Sequence, residues 1–106
     1  MKNARTGCNG LPPARRQVPA DWLNQQLERL QRDGMLAFQA RARALVLITA
    51  SAKRPGCWQA TWFRHKGPYQ DRLDPSPRRL LWRIHGFVRQ PMPPRQAATA
   101  LQRMLC

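Results

Sequence analysis

The sequence is short of acidic residues. Five Asp and Glu stand against nineteen Lys and Arg, which gives a formal net charge of +14. Residues 34–70 and 75–106 contain no acid, and the five acids are Asp21, Glu28, Asp33, Asp71 and Asp74. A fold with so much unopposed positive charge repels itself unless a polyanion or an acidic partner balances it. The composition therefore predicts that the partner is either nucleic acid or an acidic protein surface.

Motifs for metal, cofactor and nucleotide sites are also missing. The three cysteines, Cys8, Cys57 and Cys106, lie about fifty residues apart. An odd number of cysteines without close pairs argues against both a disulfide framework and a zinc site. The sequence has no glycine-rich phosphate loop and no paired-histidine motif. We therefore expect no metal and no cofactor, and the first interpretation assigns no catalytic residue.

Long apolar runs are absent too. No stretch approaches the roughly 20 apolar residues of a membrane-spanning helix. The start of the chain, MKNARTGCNGLPPARR, is basic but is not followed by an apolar run, so it does not resemble a secretory signal. We expect a cytoplasmic protein that does not enter a membrane. Its 106 residues suit one modest core, and we expect a flexible basic arm at 1–18 before a single domain at 19–106.

Three segments have the periodicity of amphipathic helices. Leucines recur every three or four positions in residues 19–33, and Gly34 suits the position that follows a helix. A second apolar stripe runs through residues 77–90 behind a Ser-Pro start signal. Three prolines within residues 91–94 interrupt it, and residues 94–106 predict a last helix.

Residues 35–53 alternate between apolar and polar side chains. Nine consecutive even-numbered positions, from Leu36 to Ala52, are small or apolar, which is the period of a β-strand. A helix as far as residue 44 is the alternative, because the segment is rich in alanine. Pro55 and Gly56 then predict a turn, and residues 57–66, CWQATWFRHK, predict the return strand of an antiparallel hairpin.

The length of that turn decides which side of the hairpin carries Trp58 and Trp62. A two-residue turn at 55–56 places Lys53 opposite Trp58, so that both indoles share a face with the cations. A turn that is one residue longer moves both indoles onto the apolar face. The site hypothesis below depends on the shorter turn.

Residues 68–77 are expected to form a loop, because they combine prolines with polar residues and lack periodicity. The chain as a whole predicts a small α+β domain with the order α-β-β-α-α. In this fold an antiparallel β-hairpin packs its apolar face against helices.

The leading candidate site is the cationic and aromatic side of this hairpin. Indole rings offer flat faces on which bases stack, while arginines hold phosphates. The alternative interpretation is that both tryptophans belong to the core. The candidate nucleic-acid-binding residues of this surface are Arg41, Arg43, Lys53, Trp58, Trp62, Arg64 and Lys66.

A second candidate is the outer face of the helix at 77–90. A basic helix can lie along phosphates or enter a major groove, although a charged face is ordinarily just solvated. The cations of this face are Arg78, Arg79 and Arg89, with Trp82 and His85 between them.

A third candidate is a metal-free ribonuclease site around His65. Such a site needs a base, an acid and cations for the phosphate. The residues that offer these groups are His65, Arg64, Lys66, Tyr69 and Asp71.

We therefore predict a small basic accessory protein that binds nucleic acid, favours single strands and has low sequence specificity. Its short length and basic composition are typical of accessory proteins from bacterial mobile elements or phages. One alternative is an inhibitor or adaptor that docks on an acidic surface of a host protein. The other is a ribonuclease-like toxin.

Overall fold

The computed structural model describes residues 17–105, in which three α-helices pack on a five-stranded antiparallel sheet. The α+β class is confirmed, but the order is α-β-β-β-β-α-β-α rather than α-β-β-α-α. Of the predicted arm at 1–18, only Gln17 and Val18 fall within the described residues. The elements are α1 (Ala20–Asp33), β1 (Leu36–Ala40), β2 (Leu45–Ala50), β3 (Trp58–Arg64), β4 (Gly67–Asp74), α2 (Pro77–Ile84), β5 (Val88–Met92) and α3 (Pro94–Leu105).

Each face of the sheet has its own apolar core. The strands lie in the order β4-β3-β2-β1-β5. On the first face, Phe38 and Val46 are buried with residues from α1 and α2. On the second face, Ala37 and Leu45 pack with residues from α3, among them Ala97. The result is a sheet between two helical layers, and the first face holds the larger core.

Helix α1 forms where the leucine pattern predicts it. Leu23 and Leu30 are buried against the first face. Gly34 has a φ of +77° and donates its N–H to the carbonyl oxygen of Leu30 at 2.8 Å. This left-handed geometry ends the helix, and glycine adopts it without the steric cost that a Cβ brings. The prediction of a helix at 19–33 is therefore confirmed.

The alternating segment contains a turn that its pattern conceals. The structure has two strands there, β1 and β2, joined by a tight 3₁₀ turn at residues 41–43. Phe38 pairs with Val46, so each strand places its even-numbered residues on the first face. The apolar alternation therefore continues through the turn unchanged. Strand structure, rather than the alternative helix as far as residue 44, is therefore confirmed in this segment by β1 and β2.

The pairing of β2 with β3 contradicts the two-residue turn. Ala50, not Lys53, lies opposite Trp58, and Val46 lies opposite Trp62. The chain between the strands is longer because the Ser51 hydroxyl accepts the backbone N–H groups of Lys53 and Arg54, each at 3.1 Å. The register differs from the predicted one by three positions, an odd number, so both indoles move to the apolar first face.

The two edge strands replace a predicted loop and the end of a predicted helix. β4 occupies most of the segment at 68–77 and pairs with β3 along its length. β5 begins at Val88, where helix was expected to continue. Pro91 is tolerated within β5 because an edge strand leaves one row of backbone groups without a ladder partner. Both strands lie at edges, where side chains are solvated on most sides and the apolar alternation is weak.

Helix α2 begins at the predicted start signal and is anchored by a buried carboxylate. The Ser76 hydroxyl accepts the N–H of Arg79 at 3.1 Å, and Pro77 is the first helical residue. Asp74 is 3% exposed and accepts hydrogen bonds from the Ser76 N–H, from Arg79 and from Arg83. The Ser76 N–H, together with the two guanidinium groups, lowers the pKa of the Asp74 carboxyl despite its burial.

We expect Asp74→Asn to reduce the free energy of unfolding by about 1.5–3 kcal/mol at neutral pH, because it removes charged hydrogen bonds from a buried site. The Asp74 pKa is lowered by folding, so the stability it contributes is present above its unfolded pKa. That contribution is lost as pH falls through the folded pKa. Urea denaturation of both proteins at a series of pH values should show the difference shrinking in acid. Asp71→Asn is the control, since this exposed carboxylate pairs with Lys53 and with no other side chain among residues 17–105. A difference that does not change with pH would contradict this role.

The turn between β1 and β2 yields a second prediction. Ala42 and Arg43 have φ values of +57° and +61°, and the Ala44 N–H donates to the Arg41 carbonyl oxygen at 3.1 Å. Left-handed backbone costs a non-glycine residue about 1–2 kcal/mol. We therefore expect Ala42→Gly to stabilise the protein by about 0.5–1 kcal/mol after the greater freedom of the unfolded glycine is counted. Chemical denaturation measures this change in the free energy of unfolding, and a destabilised variant would contradict the turn geometry.

Candidate functional site

Many of the cations are engaged by acceptors within the fold. Lys53 donates to Asp71 at 2.7 Å, and Arg78 donates to the side chain of Asn24 at 3.0 Å. Arg79 is bound to Asp74, as described above. These three residues belong to the predicted nucleic-acid-binding set, but their side chains are held by structural contacts. The other engaged arginines are Arg29, Arg32 and Arg83.

The predicted basic face of the second helix is not formed. The α-helix ends at Ile84, and Arg89 lies exposed on the edge strand β5. His85 packs edge-on against Trp22, with 4.7 Å between the ring centroids. With Arg78 and Arg79 engaged elsewhere, no continuous helical surface of free cations remains at 77–90.

A different set of cations gathers at one end of the sheet. The β1–β2 turn and the β3–β4 turn lie at this end, because Leu45 pairs with Phe63. Helix α3 reaches it as well, where the Lys66 N–H donates to the carbonyl oxygen of Met104 at 3.1 Å. We call this end of the sheet the basic end. Its charged or titratable residues are Arg41, Arg43, Arg64, His65, Lys66 and Arg103.

The basic end opens on the first face into a cavity of about 300 Å³ that combines arginines with aromatic rings. No acidic residue is among the described residues that line it. We call it the arginine–aromatic cavity. Its lining residues are Ala40, Arg41, Trp62, Arg64, Tyr69, Gln70, Arg72 and Phe87.

The aromatic rings hold two of the guanidinium groups in place. The Cζ of Arg64 lies 4.5 Å from the centroid of the Tyr69 ring. The Cζ of Arg72 lies 5.6 Å from the centroid of Phe87 and 6.0 Å from that of Trp62. Tyr69 and Phe87 are 46% and 49% exposed, so the rings also present surface to solvent. A guanidinium that stacks on a ring keeps its N–H groups directed outward in its own plane.

The hydrogen-bond donors of this cavity are not used by the fold. Within residues 17–105, neither Arg41, Arg64 nor Arg72 forms a side-chain hydrogen bond or ion pair with another residue. Each guanidinium has five N–H donors. The cavity therefore offers an array of cationic donors that a ligand rich in oxygen acceptors, such as a phosphate, can satisfy.

A shallower groove continues from the cavity around the basic end. Arg64 lines both of them, and in the groove it is joined by Arg43, His65 and Arg103. We call it the basic groove. The described residues that line it include no acid. Cavity and groove together form one path of positive charge that leads from the first face of the sheet towards α3.

The turns that carry this path have unusual backbone geometry. Besides Ala42 and Arg43, Lys66 has a positive φ, +88°. Both connections at the basic end thus use left-handed backbone at residues that have a Cβ. Strain of this kind persists where the surrounding structure enforces it and often accompanies functional sites. Here it positions Arg41 and Arg43 on either side of the sheet end.

The structure changes the role of the two tryptophans. Trp62 is 5% exposed and belongs to the first-face core, and Trp58 packs half-buried against the same core. The hypothesis of an open platform made of both indoles is wrong, because the β2–β3 register turns them inward. Trp62 keeps one edge on the arginine–aromatic cavity, together with Arg41 and Arg64 from the predicted set.

Three of the polar or aromatic lining residues, Gln70, Arg72 and Phe87, belong to no predicted site, and Tyr69 was predicted only for the ribonuclease site. Tyr69, Gln70 and Arg72 lie in β4, which was expected to be a loop, and Phe87 was assigned to a buried helical stripe. The signal that could have found β4 is the Gly-Pro pair at its start, followed by seven residues before the Ser76 helix start. Even so, only the pairing of β4 with β3 brings Arg72 to the first face, opposite Ala60.

The residues of the ribonuclease hypothesis are not brought together. His65 lies in the β3–β4 turn, whereas Asp71 lies opposite Thr61 and is bound to Lys53. His65 lies four positions along the chain from Thr61, a distance of roughly 13 Å in a strand. The guanidinium of Arg64 lies beside the Tyr69 ring. Asp71 and His65 are therefore not in direct contact in the described fold.

Within 17–105, no three His, Cys, Asp or Glu side chains are grouped so that they could hold a metal ion. Cys57 is a free thiol, while Cys8 and Cys106 lie outside the described residues. None of the described helices has the length and apolar character needed to cross a membrane.

Comparisons with protein-family models, with curated proteins and with solved structures found no match to this chain.

Because Trp62 is buried, we expect its ring to contribute more to the free energy of unfolding than a ring at the surface. We expect Trp62→Ala to reduce the free energy of unfolding by about 3–5 kcal/mol, the usual cost of a large cavity in a core. Phe87→Ala, at a half-exposed ring, should cost less than about 1 kcal/mol. Denaturant unfolding of both variants tests this. A Trp62→Ala protein as stable as Phe87→Ala would contradict the inward packing of the indole.

Proposed function

We propose that the protein binds nucleic acid, with a preference for single strands and with low sequence specificity, through the arginine–aromatic cavity and the basic groove. The observation that carries this proposal is the convergence of Arg41, Arg64 and Arg72 with exposed aromatic rings in one cavity lined without acids. Their donors are not engaged within the described fold, and so they are available to phosphate oxygens.

The exposed rings favour single strands. In a duplex the base faces are stacked on one another, so a protein ring cannot reach them without disrupting the helix. In a single strand each base can stack on a ring, which contributes about 1–3 kcal/mol per base. Tyr69 and Phe87 lie at the surface among the arginines, as such stacking requires.

Low specificity follows from the chemistry of the lining. Ring faces accept every base, and guanidinium groups bind phosphates whatever the sequence. Among the described lining residues, only Gln70 and the hydroxyl of Tyr69 offer both a donor and an acceptor to a base edge. The net charge of +14 also attracts polyanions over long range, independently of sequence.

The test compares two double variants that change the net charge equally. Arg64→Gln/Arg72→Gln alters the cavity. Arg32→Gln/Arg54→Gln alters the opposite end of the sheet, where α1 ends and the β2–β3 loop lies. Binding to a fluorescent single strand of about 12 nucleotides is measured between about 0.05 and 0.2 M salt. The cavity variant should lose on the order of tenfold in affinity per missing contact at low salt, and its log-log salt slope should fall by about 1.4.

The control variant should bind nearly as tightly as the original protein, because only long-range attraction is reduced. Circular dichroism confirms that both variants are folded. Equal losses in the two variants would show that net charge alone, not the cavity, drives binding. Binding that is absent or independent of salt would exclude the proposal.

A second candidate function is binding to an acidic protein surface, as an inhibitor or adaptor. Exposed aromatic rings beside arginines, as at Tyr69 and Arg64, are also typical of protein interfaces. Recovery of one stoichiometric protein partner after nuclease treatment would favour this candidate over nucleic acid. A cytoplasmic location and an origin in a bacterial mobile element or phage stay predictions from the composition.

A further inference from the structure

We infer that the arginine–aromatic cavity is a subsite for a phosphorylated terminal nucleotide, with the rest of the strand lying in the basic groove. This inference rests on the proposed function and specifies its ligand. The cavity binds a phosphate monoester rather than an internal phosphodiester, and an aromatic ring beside it receives the adjoining base.

The charge of the cavity matches a monoester. An internal phosphodiester has one negative charge, whereas a phosphate monoester carries about −1.5 to −2 at neutral pH. Arg41, Arg64 and Arg72 line a single cavity of about 300 Å³ without an acid among its described lining residues. One phosphodiester would leave much of this positive charge unbalanced in a confined space, while a dianion compensates most of it.

The number of donors also favours a terminal phosphate. A monoester presents three terminal oxygens, each of which can accept more than one hydrogen bond, and a diester presents two. The stacked guanidinium groups of Arg64 and Arg72 are held by the rings beneath them, so little side-chain freedom is lost when they bind. Arg41 adds a third set of donors from the strained turn.

The rings at the cavity supply a place for the base. Phe87 is 49% exposed and lies in the 3₁₀ turn that follows α2, next to the guanidinium of Arg72. A base that stacks on Phe87 therefore lies close to a phosphate held by Arg72. Within one nucleotide, a single sugar joins the base to the phosphate, so one nucleotide can place its base on the ring and its phosphate at the guanidinium.

The basic groove gives the strand its direction away from the cavity. Arg64 belongs to both sites, so a phosphate chain that leaves the cavity passes it and meets Arg43 and Arg103. A free nucleoside monophosphate offers the same terminal chemistry but cannot reach these arginines. The strand end should therefore bind more tightly than the free nucleotide.

The experiment uses one single-stranded sequence of about 12 nucleotides in three forms, with a phosphate at the 5′ end, at the 3′ end, or with hydroxyls at both ends. We expect one phosphorylated form to bind at least about tenfold more tightly than the hydroxyl form, as for an added charged hydrogen-bonding group. Adenosine monophosphate is tested as a competitor. It should compete only at concentrations well above the affinity of the phosphorylated strand.

Two variants locate the effect. Arg72→Gln should abolish the preference for the phosphorylated form. Arg103→Gln removes the same charge from the groove, so it should weaken both forms equally and preserve the preference. Phe87→Leu keeps an apolar side chain but removes the flat face, and it should weaken both forms while preserving the preference for phosphate.

The failure of this inference is distinct from failure of the proposed function. Equal binding of all three forms to the original protein, with steep salt dependence, overturns the terminal subsite but leaves nucleic-acid binding intact. Equal affinity for adenosine monophosphate and the phosphorylated strand overturns the path through the groove. An undiminished preference in Arg72→Gln overturns the assignment to this cavity. No binding of any form removes both the inference and the proposed function.

Discussion

The pairing of Val46 with Trp62 is the constraint on which the rest of the structure depends. It determines the side of the sheet that each residue of β3 faces, and through β3 it determines the side for β4. Trp62 fills the first-face core between the sheet and two helices. Two residues further along β3, Arg64 lies on the same face but beyond the apolar cluster. Burial of the indole and exposure of this arginine thus have one cause.

The same register sorts the cations into two groups. Asp71 and Asp74 lie towards the β2–β3 loop, where they engage Lys53, Arg79 and Arg83. The basic end lies at the opposite end of the strands. Its arginines stack on rings or extend into solvent. Repulsion among them destabilises the folded chain, and a bound polyanion would relieve it. Asp71 and Asp74 thus support the fold at one end, whereas the described residues that line the cavity and the groove at the other end include no acid.

The turns at the basic end position site residues but lower the stability of the fold. Ala42, Arg43 and Lys66 adopt backbone conformations that glycine or asparagine would accept more readily. The large first-face core offsets the free-energy cost of these backbone conformations. The start of α2 also offsets it, since Asp74 accepts hydrogen bonds from three donors there. In return, the short β1–β2 turn projects Arg41 into the cavity and Arg43 into the basic groove. A looser turn would leave these two side chains without a defined position.

Local sequence was sufficient wherever the signal lay within one element. The leucine period and Gly34 determine α1, the Ser-Pro start determines where α2 begins, and α3 begins at Pro94 as predicted. The unbalanced charge is a property of composition and needs no structure. The sequence pattern does not reveal the β1–β2 turn, because even-numbered residues of β1 pair with even-numbered residues of β2. The apolar alternation therefore continues unchanged through the turn. The edge strands were hidden because solvent on most sides removes the apolar pattern that identifies a strand.

By itself, therefore, the sequence determined the α+β class, the bounds of α1, the start of α2 and the excess of arginine. Only the tertiary structure decided which arginines meet aromatic rings, since Arg41, Arg64, Arg72 and Phe87 come from four separate segments. The physical reason is that the register between two strands determines which face of the sheet each side chain occupies. Ser51 lengthened the β2–β3 loop by capturing two backbone N–H groups, and an odd change in register moves every side chain of a strand to the other face.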